Sequence, residues 1–382
     1  MAVVGINGLY LTRSNTGGGR YLHDLIANLR AAGQVEKYVL FLNPGADSPG
    51  FAAGCGVEIC RCPRQTGIRP LRLVWEHMLL PRLIRQRNIS LLHCCGFTLP
   101  RGLPSSVRSV LTVFDMTFFT MPRVHQAEKV AYFRALLPWS LKRADRVIAL
   151  SGQTKRDIVR CTRTPADKID VVPVGVHPRF SGPLAGDDIS RVLGRYGIPR
   201  EYLLFVGTLE PRKNVAGLLE AYALLKRGKC ACKLVIVGKK GWHYNNIFER
   251  VIDQGLTDDI IFTGYVPDED MPALYRGASV FIYPSFYEGF GIPVLEAMSS
   301  GVPVITSRVS SLPEVAQDAA WYVDPYRPGE IAEAVQGILR DPACARRMAD
   351  AGRKRALHFG LDSMAQATQD VYLKTLSGGN HA

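Results

Sequence analysis

Short runs dominated by Val, Ile, Leu and aromatic residues alternate with helix-period segments along this chain, and the whole pattern occurs twice. In the first half the runs fall at 3–7, 38–42, 90–93, 109–114 and 146–150. In the second they fall at 202–206, 233–237, 260–263, 280–283 and 304–306. Their unbroken apolar character predicts strands buried on both faces, as in a parallel sheet covered by helices. The intervening segments gather apolar residues on one helical face: Leu22, Leu25, Ile26 and Leu29 in 21–30, and Leu218, Leu219, Tyr222 and Leu225 in 214–226. An α/β chain with two doubly wound domains is therefore expected, and 382 residues suit two domains of ordinary size. Ligands of such folds lie beyond the carboxyl ends of strands, so residues just after strands are the candidates. A cleft between two facing domains is the expected site.

A Pro-, Gly- and Asp-rich stretch at 178–188 reads as a linker, which gives a first domain over 1–182 and a second from 183. Charge separates along the same line. Residues 1–182 hold 25 basic and 11 acidic side chains, and residues 183–382 hold 22 and 23, so the net +13 sits on the first half. Such a field suits an anionic partner: a membrane surface, a nucleic acid or an acidic substrate. It also serves solubility. The densest basic region, 61–87, carries seven arginines and one acid, Glu76. Its core from Leu71 to Leu80 interleaves arginine with apolar residues and Trp75, and Pro81 interrupts it before Leu83 and Ile84 continue the pattern. A basic amphipathic helix bearing Trp can lie in a bilayer interface. A surface helix packed on its own domain reads the same way. No nucleic-acid-binding module or interleaved aromatic pattern is present, so nucleic acid is not expected. No apolar run is long enough to span a membrane, and Met1 leads into Val3-Val4-Gly5-Ile6 without a basic leader region. The nine cysteines lack the spacing of a zinc site, so reduced structural thiols and a cytoplasmic protein, peripheral at the inner membrane face, are expected.

Three segments just after strands hold the chemistry. Gly17-Gly18-Gly19 follows the first run through a polar loop, 12–16, and precedes a helix expected from Arg20; the glycines let amides approach an anion at the helix start. Neither a dinucleotide fingerprint in register nor a Walker lysine accompanies them. Glu210-Pro211-Arg212-Lys213-Asn214 follows 202–206 and the turn Gly207-Thr208, with Asn214 as a helix N-cap. Arg212 as a planar fork and Lys213 as a point charge could hold a diphosphate. The segment from Pro284 to Met298 follows 280–283. Pro293 suits the first position of a helix and Gly301 its stop. Gly289 and Gly291 permit a tight turn around Phe290. Glu288 in the loop and Glu296 in the first helical turn suit bidentate bonding to vicinal hydroxyls. His93 reads as a structural imidazole.

The Glu288-to-Glu296 spacing, Glu-Gly-Phe-Gly-Ile-Pro-Val-Leu-Glu, is similar to the E-x7-E element of the retaining glycosyltransferases of family 4. Gly264-Tyr265-Val266 and Gly301-Val302-Pro303-Val304-Ile305 resemble the donor domain of that family, and 172–176 resembles its strand before the linker. The resemblance spans nearly the whole chain and is most specific over 202–316. It implies a GT-B fold, in which two Rossmann-like domains, 1–182 for the acceptor and 183–361 for the donor, face each other, and 362–382 crosses back to the first. It implies transfer of a sugar, with retention, from a nucleotide-sugar (GDP-mannose or a UDP-sugar) to a hydroxyl of a lipid-linked or polysaccharide acceptor. Neither metal nor cofactor is expected. By resemblance Arg212 and Lys213 hold the donor diphosphate, Glu296 the ribose, and Glu288 with the amides of Phe290 and Gly291 the donor sugar. Gly17, Gly18 and Gly19 close on the diphosphate, and Gly264 and Val266 border the base. Many relatives carry His-Asp where this chain has Phe114-Asp115, which leaves Asp115 either to orient a substrate or to cap the next helix. Many carry Arg where Thr208 stands, which leaves fewer cations for the phosphates. A nucleotide-sugar epimerase or a non-catalytic nucleotide-sugar binder on the same fold is the alternative.

Overall fold

The computed structural model describes residues 2–9, 17–29, 35–43, 56–63, 66, 69–241 and 245–378. The chain divides into two compact units, 1–175 with 361–382, and 176–360. The first unit contains β1 (Ala2–Asn7), β2 (Val35–Leu42), β3 (Val57–Arg61), β4 (Leu91–Cys94), β5 (Arg108–Val113), β6 (Arg146–Ala149) and β7 (Ile169–Val171). They form one sheet in the order β3-β2-β1-β4-β5-β6-β7, every neighbouring pair parallel. The second contains β8 (Tyr202–Val206), β9 (Lys233–Val237), β10 (Ile260–Gly264), β11 (Val280–Tyr283), β12 (Val304–Ser307) and β13 (Ala320–Val323), in the parallel order β10-β9-β8-β11-β12-β13. In both sheets the order reverses beside the first strand, between β1 and β4 and between β8 and β11, which places a topological switch point at each centre.

The apolar runs predict every central strand, which is covered on both faces, and also the edge strand β10, although most of its residues are partly exposed. Three strands, β3, β7 and β13, are additional. They form sheet edges; β3 and β13 are partly exposed along much of their length, and β3 mixes Glu58 and Arg61 with apolar residues. The strand resemblance at 172–176 is displaced: the ladder runs over Ile169–Val171, ahead of Pro173, which has no N–H to give a ladder.

The units part at Gly175, ahead of the Gly182 linker. The Val176 amide donates to the Phe359 carbonyl at 2.8 Å, Val176 bridges to Gly360, and the buried Phe180 ring meets Tyr275 edge-on at 5.6 Å. These ties bind 176–180 to the second unit. The C-terminal helix Leu361–Ser377 belongs to the first unit, where Gln369 Nε2 donates to the Tyr38 hydroxyl at 2.9 Å and the Tyr372 hydroxyl lies 2.7 Å from His93 Nδ1. Both His93 ring nitrogens are engaged, Nε2 lying 2.7 Å from Thr112 Oγ1, so this imidazole is a buried structural group.

Pro81 does not interrupt the arginine-rich helix. Arg69–Val74 passes through a π-helical turn, Trp75–Leu79, directly into Leu80–Gln86. In the widened turn the Leu80 amide reaches back to the Trp75 carbonyl, and Pro81, which has no amide to satisfy, follows it at the start of the next segment. Trp75, Leu80 and Ile84 belong to the core of the first unit, so the tryptophan is an internal packing residue and not an interfacial anchor. Leu71, Val74, Met78 and Leu79 of the same helix are exposed. No helix among the described residues is long and apolar enough to cross a membrane. The eight described cysteines are free thiols.

Candidate active site

Two turns meet at the switch point of the second sheet. The turn after β8 is built by close backbone approach to the turn after β9. A Cβ on Gly238 would lie 1.9 Å from the Gly207 carbonyl oxygen, so only glycine fits there. The Leu209 amide donates to Lys239 O at 2.9 Å, and the Gly241 amide to Leu209 O at 3.1 Å. The chain then makes a 3-10 turn, Pro211–Lys213, and passes through Asn214 in the left-handed conformation (φ 55°), which Asn tolerates, into the helix Val215–Arg227. Asn214 is the expected N-cap: its Oδ1 accepts from the Gly217 amide at 3.2 Å. Its Nδ2 donates to the carbonyls of Pro284 (3.1 Å) and Pro325 (2.6 Å), which fixes the loops after β11 and β13 to the same point.

The turn after β11 ends at Gly291, whose φ of 111° is left-handed and whose Cβ would sit 2.8 Å from Leu312 Cδ2. Pro293 is the second residue of the helix Ile292–Ser299, and Glu296 is the fifth, one residue further in than the sequence predicts. Ser311 Oγ donates to the carbonyls of Glu288 (2.9 Å) and Phe290 (2.8 Å), and the Glu288 amide donates to Ser310 Oγ at 2.9 Å. The backbone that carries Glu288 is therefore fixed from several sides.

Arg212, Lys213 and Glu288 converge. Arg212 Nη1 donates to Glu288 Oε2 at 2.7 Å and to the Tyr287 carbonyl at 2.8 Å, and Nη2 donates to Glu210 Oε1 at 2.6 Å. Lys213 Nζ donates to Glu288 Oε1 at 2.8 Å and to the Tyr283 hydroxyl, over whose ring it also lies. Lys213, Glu288 and Glu210 are buried. Burial alone would favour a neutral Glu288, but the two cations outweigh it and hold the carboxyl down to about 2. Burial lowers the Lys213 pKa, with Arg212 adding to the effect and Glu288 opposing it. Burial, with the Glu288 charge behind it, pushes the Tyr283 phenol well up, so it remains a neutral hydroxyl.

The other expected residues stand apart in kind. Glu296 is buried and accepts from the Tyr275 hydroxyl at 2.8 Å. Thr208 is exposed on the turn after β8. The Phe290 ring is buried edge-on against Phe359, so its backbone, not its side chain, is what it can offer a ligand. Gly264 closes β10 in the left-handed region (φ 68°), and Val266 is buried just after it. In the first unit Gly17, Gly18 and Gly19 are the first turn of the helix Gly17–Asn28 rather than a loop before it, because an unhindered backbone starts a helix as readily as it turns; the polar loop expected at 12–16 lies outside the described residues. Asp115 Oδ1 accepts from both the amide (2.8 Å) and the hydroxyl (2.5 Å) of Thr117, the first residue of the helix Thr117–Thr120, whose N-cap position is Met116. Phe114 packs edge-on against Tyr21 at 5.3 Å and fills space where an imidazole could have bonded.

Sequence reasoning did not single out Glu210 and Tyr283 as partners of the cations, Tyr275 as the partner of Glu296, Ser310 and Ser311 as supports, or His125, whose Nε2 lies 2.8 Å from Thr117 Oγ1. Glu210 could have been read from its place beside Arg212. The others come from distant segments and carry no local signal.

Residues 15–180 match the family model described as Glycosyltransferase Family 4, and 195–355 match Glycosyl transferases group 1. A relative, the O-antigen chain mannosyltransferase B of Escherichia coli, is 34% identical over 373 residues, covering 94% of this chain and 96% of its own. The chain belongs to the family 4, group 1 glycosyltransferases. Among solved structures, this glycosyltransferase is similar to sucrose-phosphate synthase from Thermosynechococcus elongatus, with a TM-score of 0.79 at 20% identity over 99% of this chain and 100% of that one. It is also similar to HepE from Anabaena in complex with UDP-glucose, with a TM-score of 0.75 at 16% identity over 98% and 100%. The fold is GT-B.

Proposed function

We propose that this glycosyltransferase moves a mannosyl group from GDP-mannose to a hydroxyl of a growing lipid-linked or polysaccharide acceptor, with retention and without a metal ion. The observation that carries the proposal is the meeting of Arg212 and Lys213 from the turn after β8 with Glu288 from the turn after β11, at the switch point of a parallel sheet. Two fixed cations there suit a diphosphate, whose charge grows as it leaves the sugar. Glu288 holds both cations in place and, with the amides of Phe290 and Gly291, presents acceptors and donors to sugar hydroxyls. In this reading Glu296 takes the ribose, Gly264 and Val266 border the base, and Thr208 lines the phosphate turn without adding charge. In the first unit Gly17, Gly18 and Gly19 offer the amides of a helix start to an anion, and Asp115 orients a substrate from the end of β5. The mannosyl donor follows the name of the E. coli relative, and the UDP-glucose in the HepE structure makes UDP-sugars the comparison.

A thermal-shift screen tests the donor. GDP-mannose at about a hundred times its Kd should stabilise the fold by roughly 2.7 kcal/mol and raise Tm by a few degrees, with UDP-glucose and ADP-glucose giving less. Equal, zero response to every nucleotide-sugar would sink the reading. The anomeric configuration of the product, read by NMR, decides retention.

Location follows from the first unit. Its basic excess and the exposed Leu71, Val74, Met78 and Leu79 on an arginine-bearing helix support work at an anionic membrane face. At low salt most of the protein should sediment with vesicles containing anionic lipid and little with neutral ones. Recovery wholly in the supernatant removes the membrane part and leaves the transfer reaction standing.

A further inference from the structure

The second unit carries an aromatic pair that the donor reading does not use. Phe286 follows β11, and Tyr326 lies on the loop after β13. Their rings stack with centroids 4.7 Å apart and 29° between planes, and Tyr326 is 72% exposed. Leaving an aromatic ring in water forgoes the burial that usually holds such a residue in place, yet this pair is held by its backbone on both sides. The Phe286 amide donates to Arg212 O at 2.9 Å, and the Tyr326 amide donates to Asp324 Oδ1 at 2.9 Å. Asn214 fastens both loops through Pro284 O and Pro325 O. One buried, left-handed residue thus sets the cationic turn and the two ring-bearing loops together. Arg327, Asp324 and Glu330 supply charged groups along the same loop and the helix that follows it.

The outer face of Tyr326, its inner face backed by Phe286 and charged side chains following on the same loop, matches a pyranose, whose C–H faces pack on a ring while its hydroxyls take hydrogen bonds. A nucleobase would also stack, but the nucleotide end of a donor is read over β10, three strand spacings or about 14 Å across the sheet from β11. We propose that Phe286 and Tyr326 form a subsite for a sugar ring of the acceptor chain, away from the ring that receives the transferred group. The inference rests on the transfer reading for its choice of saccharide.

Saturation-transfer NMR with α-linked mannotetraose as the probe tests it without requiring turnover. The wild-type protein should saturate the tetrasaccharide, Tyr326→Phe should keep the signal, and Tyr326→Ala should weaken binding by about fivefold or more. The exposed position lets the alanine variant fold, and its unchanged Tm confirms that. The proposal is overturned if the wild-type protein gives no signal, or if Tyr326→Ala retains all of it. The donor-induced rise in Tm is measured on the same samples, so failure of the subsite and failure of the transfer reading give different results.

Discussion

Lys213→Ala should lower the turnover number by about a hundredfold to a thousandfold, the loss seen when one fixed donor to a developing anion is removed, or roughly 3–4 kcal/mol. Donor KM should rise much less, because the diphosphate of the intact donor is already charged and Arg212 remains to hold it. The interaction that matters strengthens as the glycosidic bond breaks and charge collects on the leaving phosphate. The variant should still fold. Glu288 keeps its pair with Arg212 at 2.7 Å, so no buried carboxylate is left without a cation. Glu288→Ala is the harsher change, since it leaves Arg212 and Lys213 facing each other without their shared anion. Steady-state kinetics with Tm as the folding control separate the two effects. A Lys213→Ala enzyme within about threefold of wild-type turnover would falsify the assignment of Lys213 to the leaving group.

The sequence read most clearly where the physics is local. Runs such as 202–206 and 280–283 are apolar because both faces of a central strand are covered, and each stands within a residue of its place in the sheet. Asn214 and Gly301 were legible because caps and stops act within one helical turn. The charged cluster was half legible. Arg212, Lys213 and Glu288 each follow a strand, but their mutual bonds join turns more than seventy residues apart, and no spacing encodes that. The spacing offers Glu288 to sugar hydroxyls but does not show that each of its oxygens also bonds a cation, the pairing that keeps a buried carboxylate stable. Three of the four edge strands carry a weaker signal: β7 has three residues, β13 has four with Trp321 exposed, and β3 mixes Glu58 and Arg61 with apolar residues. The π-turn at Trp75–Leu79 was equally silent, since Pro81 in a helical pattern signals a break before it signals a widened turn.

Acid should loosen the joint between the C-terminal helix and the first sheet through His93. This imidazole is fully buried between Tyr372 of the helix and Thr112 of β5, with Cys95 Sγ also within 3.7 Å, and no charged side chain is among these bonded neighbours. Burial pushes its pKa down from 6.5 to about 3. The folded chain therefore keeps the ring neutral over a range where the unfolded chain binds a proton. The His93 contribution to stability is complete above pH 6.5 and falls as pH drops towards 3, by about 1.4 kcal/mol per unit. Between pH 6.5 and 4.5 the loss is roughly 2 kcal/mol, a large fraction of the stability of an ordinary domain. Urea unfolding at both pH values should show that slope in the wild-type protein and a shallower one in His93→Gln, whatever the absolute stability of the variant. The His93 ring C–H resonance should not titrate down to pH 4.5. If it moves with a midpoint near 6.5, the ring is reached by protons in the folded state, and the helix is held by something other than this neutral bridge.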